Sequence, residues 1–370
     1  MVVKLKCRED FESLLLGATI YATGGGGDPK RGMMMVKEVF LDKGRELLIY
    51  DVEELNGNEY IVSPYFLGSA APKVKVRKEV RINNPIARAL EIYMKKLNMK
   101  VGAFIPVELG GGNTAVALYA AGLVGLPVVD GDRVGRAAPE VHQDTIVLFS
   151  RSMTPAVTVT PTGNELVILG YADIDDYEAI LRHLSILAGS HTLVLDAPIR
   201  ASEAKEVVIR GSLSKCLELG RKVIEAKRKG VDVAKVAAEA MNGWIIFKGA
   251  ISKWIWRSEG GFLLGELEIE GTDEYKGRVL RSWIKNEHIM VWIDSEPVVM
   301  PPDLFTLITD KGDPLINRNL EVGLKVTGIA APAPKIWRTS KGLELFGPKH
   351  FGFKYDYVPV EKLVEKHAIT

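Results

Sequence analysis

Cysteine, glutamine, long apolar runs and charge of one sign are all scarce in this sequence, and each scarcity narrows what the chain can be. Cys7 and Cys216 are the only cysteines among 370 residues, far from the CxxC spacing of a zinc knot or a redox pair. A reduced, cytoplasmic compartment is expected. No window approaches the roughly 18 uninterrupted apolar residues of a membrane span. The opening MVVKLKCREDFESLL is charged, then amphipathic, without the apolar core of a secretion signal. The formal charge is +1 and no long block of like charge occurs, so neither nucleic acid nor a membrane surface is an expected partner. Gln143 is the sole glutamine in a chain that is 26% charged. That combination suggests a thermophilic source, and codon bias would explain it equally well.

What is present reads as two domains, since 370 residues exceed what one core usually organises. From Arg8 to Ala22 the apolar residues Phe11, Leu14, Leu15, Ala18 and Ile20 recur at helical spacing and lead into TGGGGDP, Thr23 to Pro29. Asp28-Pro29 then has the form of a helix start, with Asp as N-cap and Pro at the first helical position. Glu46 to Asp51 and Tyr60 to Leu67 read as strands, and Asn84 to Leu97 as a helix. A strand (Val101 to Val107), the loop ELGGGN, a helix (Thr114 to Leu123) and a short strand (Pro127 to Val129) make a βαβ unit.

The fold class expected is therefore α/β plus β. A glycine-rich α/β domain with a parallel or mixed sheet occupies residues 1–165. A second segment, 166–370, is helical over about 175–240 and mostly β over about 241–359, as a small sandwich or barrel-like unit. The change of pattern at VTVTPTGNELVILG marks the junction.

Ligands of open α/β sheets collect beyond the carboxyl ends of the strands, where Asp51, Ser69, Glu108 and Asp130 are expected. Four successive glycines, Gly24, Gly25, Gly26 and Gly27, cost folding entropy and usually answer to close approach of a ligand. Their N–H groups, with Thr23 and the following helix N-terminus, can cradle an anion; a tight connection would look the same. The second loop sets Glu108 before Gly110, Gly111 and Gly112 and Asn113 after them. It is neither a P-loop nor a GxGxxG fingerprint, so nucleotide phosphate is not specifically implied.

VVDGDRVGRAAPEVHQDT gathers Asp130, Asp132, Arg133, Arg136, Glu140 and His142 within thirteen residues, suited to acid/base work, to holding an anionic group, or to a subunit contact in a homo-oligomer. Metal-ligand types occur there without the spacing of a metal motif, so no metal is assigned, and no cofactor is indicated. The other histidines are scattered and read as structural or exposed. No nucleophile elbow occurs, and Cys216 lies in a helical stretch as a packed thiol. PAPKIWRTSKGLELFGPKHFGF reads as a structured loop covering either the site or the domain seam.

Together GATIYATGGGGDP, ELGGGNTAVALYAAGLVGLPVVDGDRVGRAAPEVHQDT, IKNEHIMVW, PPDLFTLIT and PAPKIWRTSKGLELFGPKHFG resemble the S-methyl-thiohydantoin desulfurase-like family, from about Phe11 to Pro359. The resemblance implies an N-terminal α/β segment to about residue 165 and a β-bearing C-terminal one. It also implies a small five-membered cyclic amide or thioamide as substrate, hydrolytic removal of sulfur, and hydantoinase/oxoprolinase-like proteins as partners.

On this reading the glycine-loop donors stabilise a tetrahedral intermediate, Glu108 or Asp28 activates water, Asp130 or Glu140 protonates the departing group, and Arg136 holds a substrate carboxylate. A non-catalytic subunit of a hydantoinase/oxoprolinase-like complex and a nucleotide-dependent kinase or ligase are the alternatives.

Overall fold

The computed structural model describes residues 2–55, 57–71, 79–189 and 191–367. Among the described residues of the first 210, the strands are β1 (Val3–Leu5), β2 (Leu47–Tyr50), β3 (Tyr60–Gly68), β4 (Val101–Phe104), β5 (Val128–Val129), β6 (Gly131–Asp132), β7 (Ala156–Val159), β8 (Glu165–Ile168), β9 (His191–Arg200) and β10 (Ile209–Arg210). β6 and β10 pair as a ribbon, and the other eight form one sheet in the order β1-β2-β5-β4-β3-β9-β7-β8. Its centre, β2-β5-β4-β3, is parallel, and β1, β9, β7 and β8 join antiparallel. The sheet is thus mixed. It also runs past residue 165, because β9 lies between β3 and β7.

The helices are α1 (Arg8–Tyr21), α2 (Pro29–Val36), α3 (Pro85–Leu90), α4 (Asn113–Val124), α5 (Thr145–Leu148), α6 (Ile174–Ala188), α7 (Ser212–Lys229), α8 (Val233–Ala240), α9 (Ser340–Phe346) and α10 (Val360–His367). Capping sets several starts: Asp28 Oδ1 accepts from Lys30 N at 2.9 Å ahead of Pro29, and Asn84 Oδ1 from Ala87 N at 3.0 Å ahead of Pro85. One face of the sheet carries a core built from α1, α3, α4 and the start of α7 (Phe11, Leu14, Ile86, Leu90, Val116, Leu118, Leu213). The other face packs on Tyr177 and Leu181 of α6 with Ile61, Ala103, Val194 and Ile168. α4 is buried along most of its length, as a helix enclosed on several sides must be. No helix among the described residues is long and apolar enough to cross a membrane.

The second half supplies β11 (Trp244–Glu259), β12 (Phe262–Gly271), β13 (Val279–Lys285), β14 (Glu287–Ile293), β15 (Glu296–Val299), β16 (Leu304–Thr309) and β17 (Lys325–Ala331). They form one antiparallel sheet, β15-β14-β13-β12-β11-β17-β16. The sheet curls enough for His288 on β14 to meet Phe305 on β16 edge to face at 5.1 Å.

The halves join without a linker. α1 lies on α7 so closely that a Cβ on Gly17 would strike the Cys216 carbonyl, and one on Gly220 the Ser13 carbonyl. Residues 334–350 run over the loop that follows β6. Pro334 sits on Gly135, Trp337 Nε1 donates to Val134 O at 2.7 Å, and Gln143 Nε2 donates to Leu345 O at 2.9 Å. What that segment covers is the chain's own residues 134–143, so Arg136 to His142 do not form a free face for a second subunit.

Backbone approach of this kind makes the first glycine loop sensitive to a single methyl group. Gly26 has φ +66, and a Cβ there would stand 2.5 Å from Gly110 Cα, whereas Gly44 has φ +59 and open space around it. Gly44→Ala should cost about 1 kcal/mol from backbone conformation alone, and Gly26→Ala on the order of 3 kcal/mol or more. Denaturant midpoints of the two variants check this; equal losses would mean that the loops do not need their close contact.

Candidate active site

The two glycine loops pack on each other. Gly26 lies against Gly110 and Gly27 against Gly112, and the Gly26 carbonyl accepts from Gly112 N at 3.0 Å and Asn113 N at 2.9 Å. The first carbonyl of one loop thereby caps α4, where the sequence suggested donors free for an anion. Gly24 and Gly25 answer to the second half instead: Asn317 occupies the space beside Gly24, and the Glu287 carboxylate lies against Gly25. Thr23 is held at φ +51, with its carbonyl accepting from His288 N at 2.9 Å.

Two buried carboxylates lie at this seam, within electrostatic reach of each other. Glu108 follows β4; its Oε1 accepts from Asn113 Nδ2 at 2.8 Å and its Oε2 from Ala138 N at 2.8 Å. Burial pushes its pKa up to about 7 against the pull of those donors. Glu287, at the start of β14, is only 3% exposed and accepts from the Gly26 N–H, while its Oε2 has no hydrogen-bond partner among the described residues. Burial, then the neighbouring Glu108, raises Glu287 well above the ordinary carboxylate range. Burial thus favours the protonated form of Glu287, and the charge of Glu108 adds to that preference. Arg136 and Arg182 supply the nearby positive charge.

Arg136 is fully buried and has no donor left for a ligand. Nε donates to Ala137 O at 2.9 Å, Nη1 to Pro302 O at 3.1 Å and Asp303 O at 2.8 Å, and Nη2 to Thr23 Oγ1 at 2.7 Å and His288 O at 2.9 Å. A guanidinium has five N–H groups, so the clasp of the two halves uses all of them. The substrate-carboxylate role expected for Arg136 has no donor to rest on here.

The other expected acids are also engaged. Asp28 caps α2 and lies 3.9 Å from Arg318. Asp130 accepts from Ser214 N at 2.9 Å and Ser214 Oγ at 2.5 Å, capping the first turn of α7. Burial alone would raise Glu140, but a 2.6 Å bond to His350 Nε2, the Lys285 ammonium and Gln143 bring it well below the usual range. Held ionised, Glu140 is poorly placed to give up a proton. His142 turns to Asp175 at 2.9 Å, and Arg133 bridges buried Asp144 and Asp196 at 3.0 and 3.4 Å.

The structure thus brings together Thr23, the seven loop glycines, Asn113, Glu108 and Arg136, with Glu140 at the rim through Lys285, two residues before Glu287. It leaves Asp130 apart, at the head of α7. Glu287, Lys285 and His350 are site neighbours that the sequence reading does not single out, although the first two lie in IKNEHIMVW and the third in the GPKHFG segment. Among the half-buried residues around the pair are Asn113, Ala138, Glu140 and Lys285, with Gly27 exposed beside them. Two surface hollows, one of about 500 Å³ beside Asp10 and Arg221 and one of about 210 Å³ between Phe149 and Pro334, lie away from these loops.

The chain matches two family models, the S-Me-THD-like N-terminal domain over residues 9–170 and the S-Me-THD-like C-terminal domain over residues 172–360. No curated protein matches it in sequence. A crystal structure of a protein from Chromobacterium violaceum is similar, with a TM-score of 0.77 and 21% identity over 97% of this chain and 100% of that one. At that identity the likeness speaks for the fold alone.

Asp132 offers a test of burial around the site. Its Oδ2 accepts from Val134 N at 3.0 Å and Gly135 N at 2.5 Å, fixing the turn that delivers Arg136, and burial pushes its pKa from 3.8 up to about 7. Between those values the fold keeps a proton that the unfolded chain has released, so this group's contribution to stability falls as pH rises and is level above about 7. Relative to the parent, Asp132→Asn should gain up to about 4 kcal/mol between pH 4 and 7. Urea titrations across that range measure it, and a pH-independent difference would contradict the burial.

Proposed function

The chain belongs to the S-Me-THD-like family, and from that premise we propose that it is an enzyme which hydrolyses a carbon–sulfur bond in a five-membered thiohydantoin-type ring. The observation that carries the reading is the two buried acids Glu108 and Glu287, one from each half, which burial raises in pKa, Glu108 to about 7 and Glu287 well above the ordinary carboxylate range. Hydrolysis at a ring carbon bearing an alkylated sulfur needs one group to take a proton from water and another to give one to the departing sulfur.

Glu108 is the base. It lies nearest the half-exposed Asn113 and Ala138, and its pKa of about 7 leaves much of it ionised at neutral pH. Water loses its proton to Glu108 as its oxygen bonds to the ring carbon. The carbon–sulfur bond then breaks, and the sulfur leaves as a thiol with the proton from Glu287. The second water proton passes to the ring nitrogen, which leaves a ring carbonyl beside an N–H, and loss of the proton from Glu108 with return of one to Glu287 resets the acids. Asn113 orients Glu108, Gly26 N–H orients Glu287, and Lys285 with Glu140 ties together the segments bearing the two acids. The loops' packing on each other argues against a nucleotide-phosphate cradle, and with it against a kinase or ligase.

Thiol release from an S-methyl-thiohydantoin tests the reading. Glu108→Gln and Glu287→Gln should each lower kcat by about 10²- to 10⁴-fold. In the parent, kcat/KM should rise with pH through about 7 as Glu108 loses its proton, then fall as Glu287 does. Undiminished turnover in Glu108→Gln would remove it as the base, and absence of thiol release from the parent would remove the reaction.

A further inference from the structure

The two ends of the first sheet are finished differently. At one end β1 is three residues long and carries Lys4 at its middle, a short, charged edge of the kind that discourages pairing. At the other end, among the described residues, β8 pairs only with β7 and no strand lies along its outer edge. No charged residue occurs from Leu166 through Ala172, and no proline. Leu166, Val167 and Leu169 are 36%, 41% and 75% exposed.

Both layers of the sheet run out at this edge. Val167 stands opposite Val157, which belongs to the core under α3, and Glu165 on the same face binds Arg88 of α3 at 2.7 Å. Ile168 packs with Tyr177 and Leu181 in the core under α6, and Leu166 shares its face by alternation. Val167 and Leu169 therefore extend one core past its last strand, and Leu166 extends the other. An occupant must supply a strand for the open backbone and apolar cover on both faces at once.

We propose that β8 is the interface of a homodimer in which it pairs antiparallel with β8 of a second copy. A two-fold axis normal to the sheet at Val167 sets Val167 against Val167 and Leu166 against Ile168. It keeps each face on the same side, so the α3 layers meet and the α6 layers meet. A second copy supplies the strand and both layers in the required order from one patch, as an isologous contact does. The pairing joins the two eight-stranded sheets edge to edge.

Sedimentation velocity over about 1 to 100 μM should show a dimer whose dissociation constant rises at least about 100-fold in Val167→Lys/Leu169→Lys, with the melting temperature kept. In a Cys7→Ser background, Val167→Cys should cross-link to itself under mild oxidation, and Leu169→Cys, which faces Glu165, should not. The cross-link decides the matter if the lysine variant fails to fold. A monomer at every concentration, or a dimer indifferent to the lysines and without the 167 cross-link, overturns the proposal.

Discussion

The fold turns on how one buried guanidinium is satisfied. Arg136 leaves the loop after β6 and donates to Thr23 in the first glycine loop, to its own neighbour Ala137, and to carbonyls at positions 288, 302 and 303 in the second sheet. Removing water from such a charge is costly, and only a complete set of acceptors offsets the loss. Those acceptors come from segments that share no strand pairing. Satisfying the cation therefore requires the first loop, the β13–β14 turn and the segment before β16 to arrive in one register. Phe346, 5.2 Å beneath the guanidinium, closes the remaining side.

That register is also what makes the acids unusual. Glu108 and Glu287 are buried where the loops pack: Glu108 accepts from Asn113 and from Ala138 in the loop the clasp holds, and Glu287 lies on Gly25 of the first loop. Their raised pKa values are properties of the seam, as is the contrast with Glu140, which stays ionised a short distance along the same loop because Lys285 and His350 reach it. Environments that push neighbouring carboxyl groups apart in this way are how a fold assigns acid and base roles to chemically identical side chains.

Local features were legible in the sequence. Asp28-Pro29 and Asn84-Pro85 mark helix starts by a mechanism confined to a few residues, and the βαβ unit around ELGGGN follows from periodicity and turn chemistry. The glycine runs were read as places where a ligand comes close; the group that meets Gly26 and Gly27 in the structure is the other loop, and nothing in a glycine says which backbone will meet it. Arg136 invited a ligand role because its partners are main-chain carbonyls, which every residue possesses and no motif announces. Glu287 stands in IKNEHIMVW with no local signal of its own, and its place at the site arises only from lying on Gly25, more than 250 positions away. β9 falls inside the stretch of about 175–240 expected to be helical, and that expectation fails because its place in the first sheet depends on pairings with β3 and β7 that carry no local signal.

The place of β9 bears on how the chain is made. Synthesis delivers residues in order, and when residue 170 has emerged, β3 and β7 both exist with the position between them empty. Strand His191–Arg200 must be released before the sheet can close, so the N-terminal family segment cannot mature as an independent unit on the ribosome. Until then the nascent chain presents two unpaired strand edges, and the stretch from residue 170 to 200 is the interval in which a chaperone has most to protect.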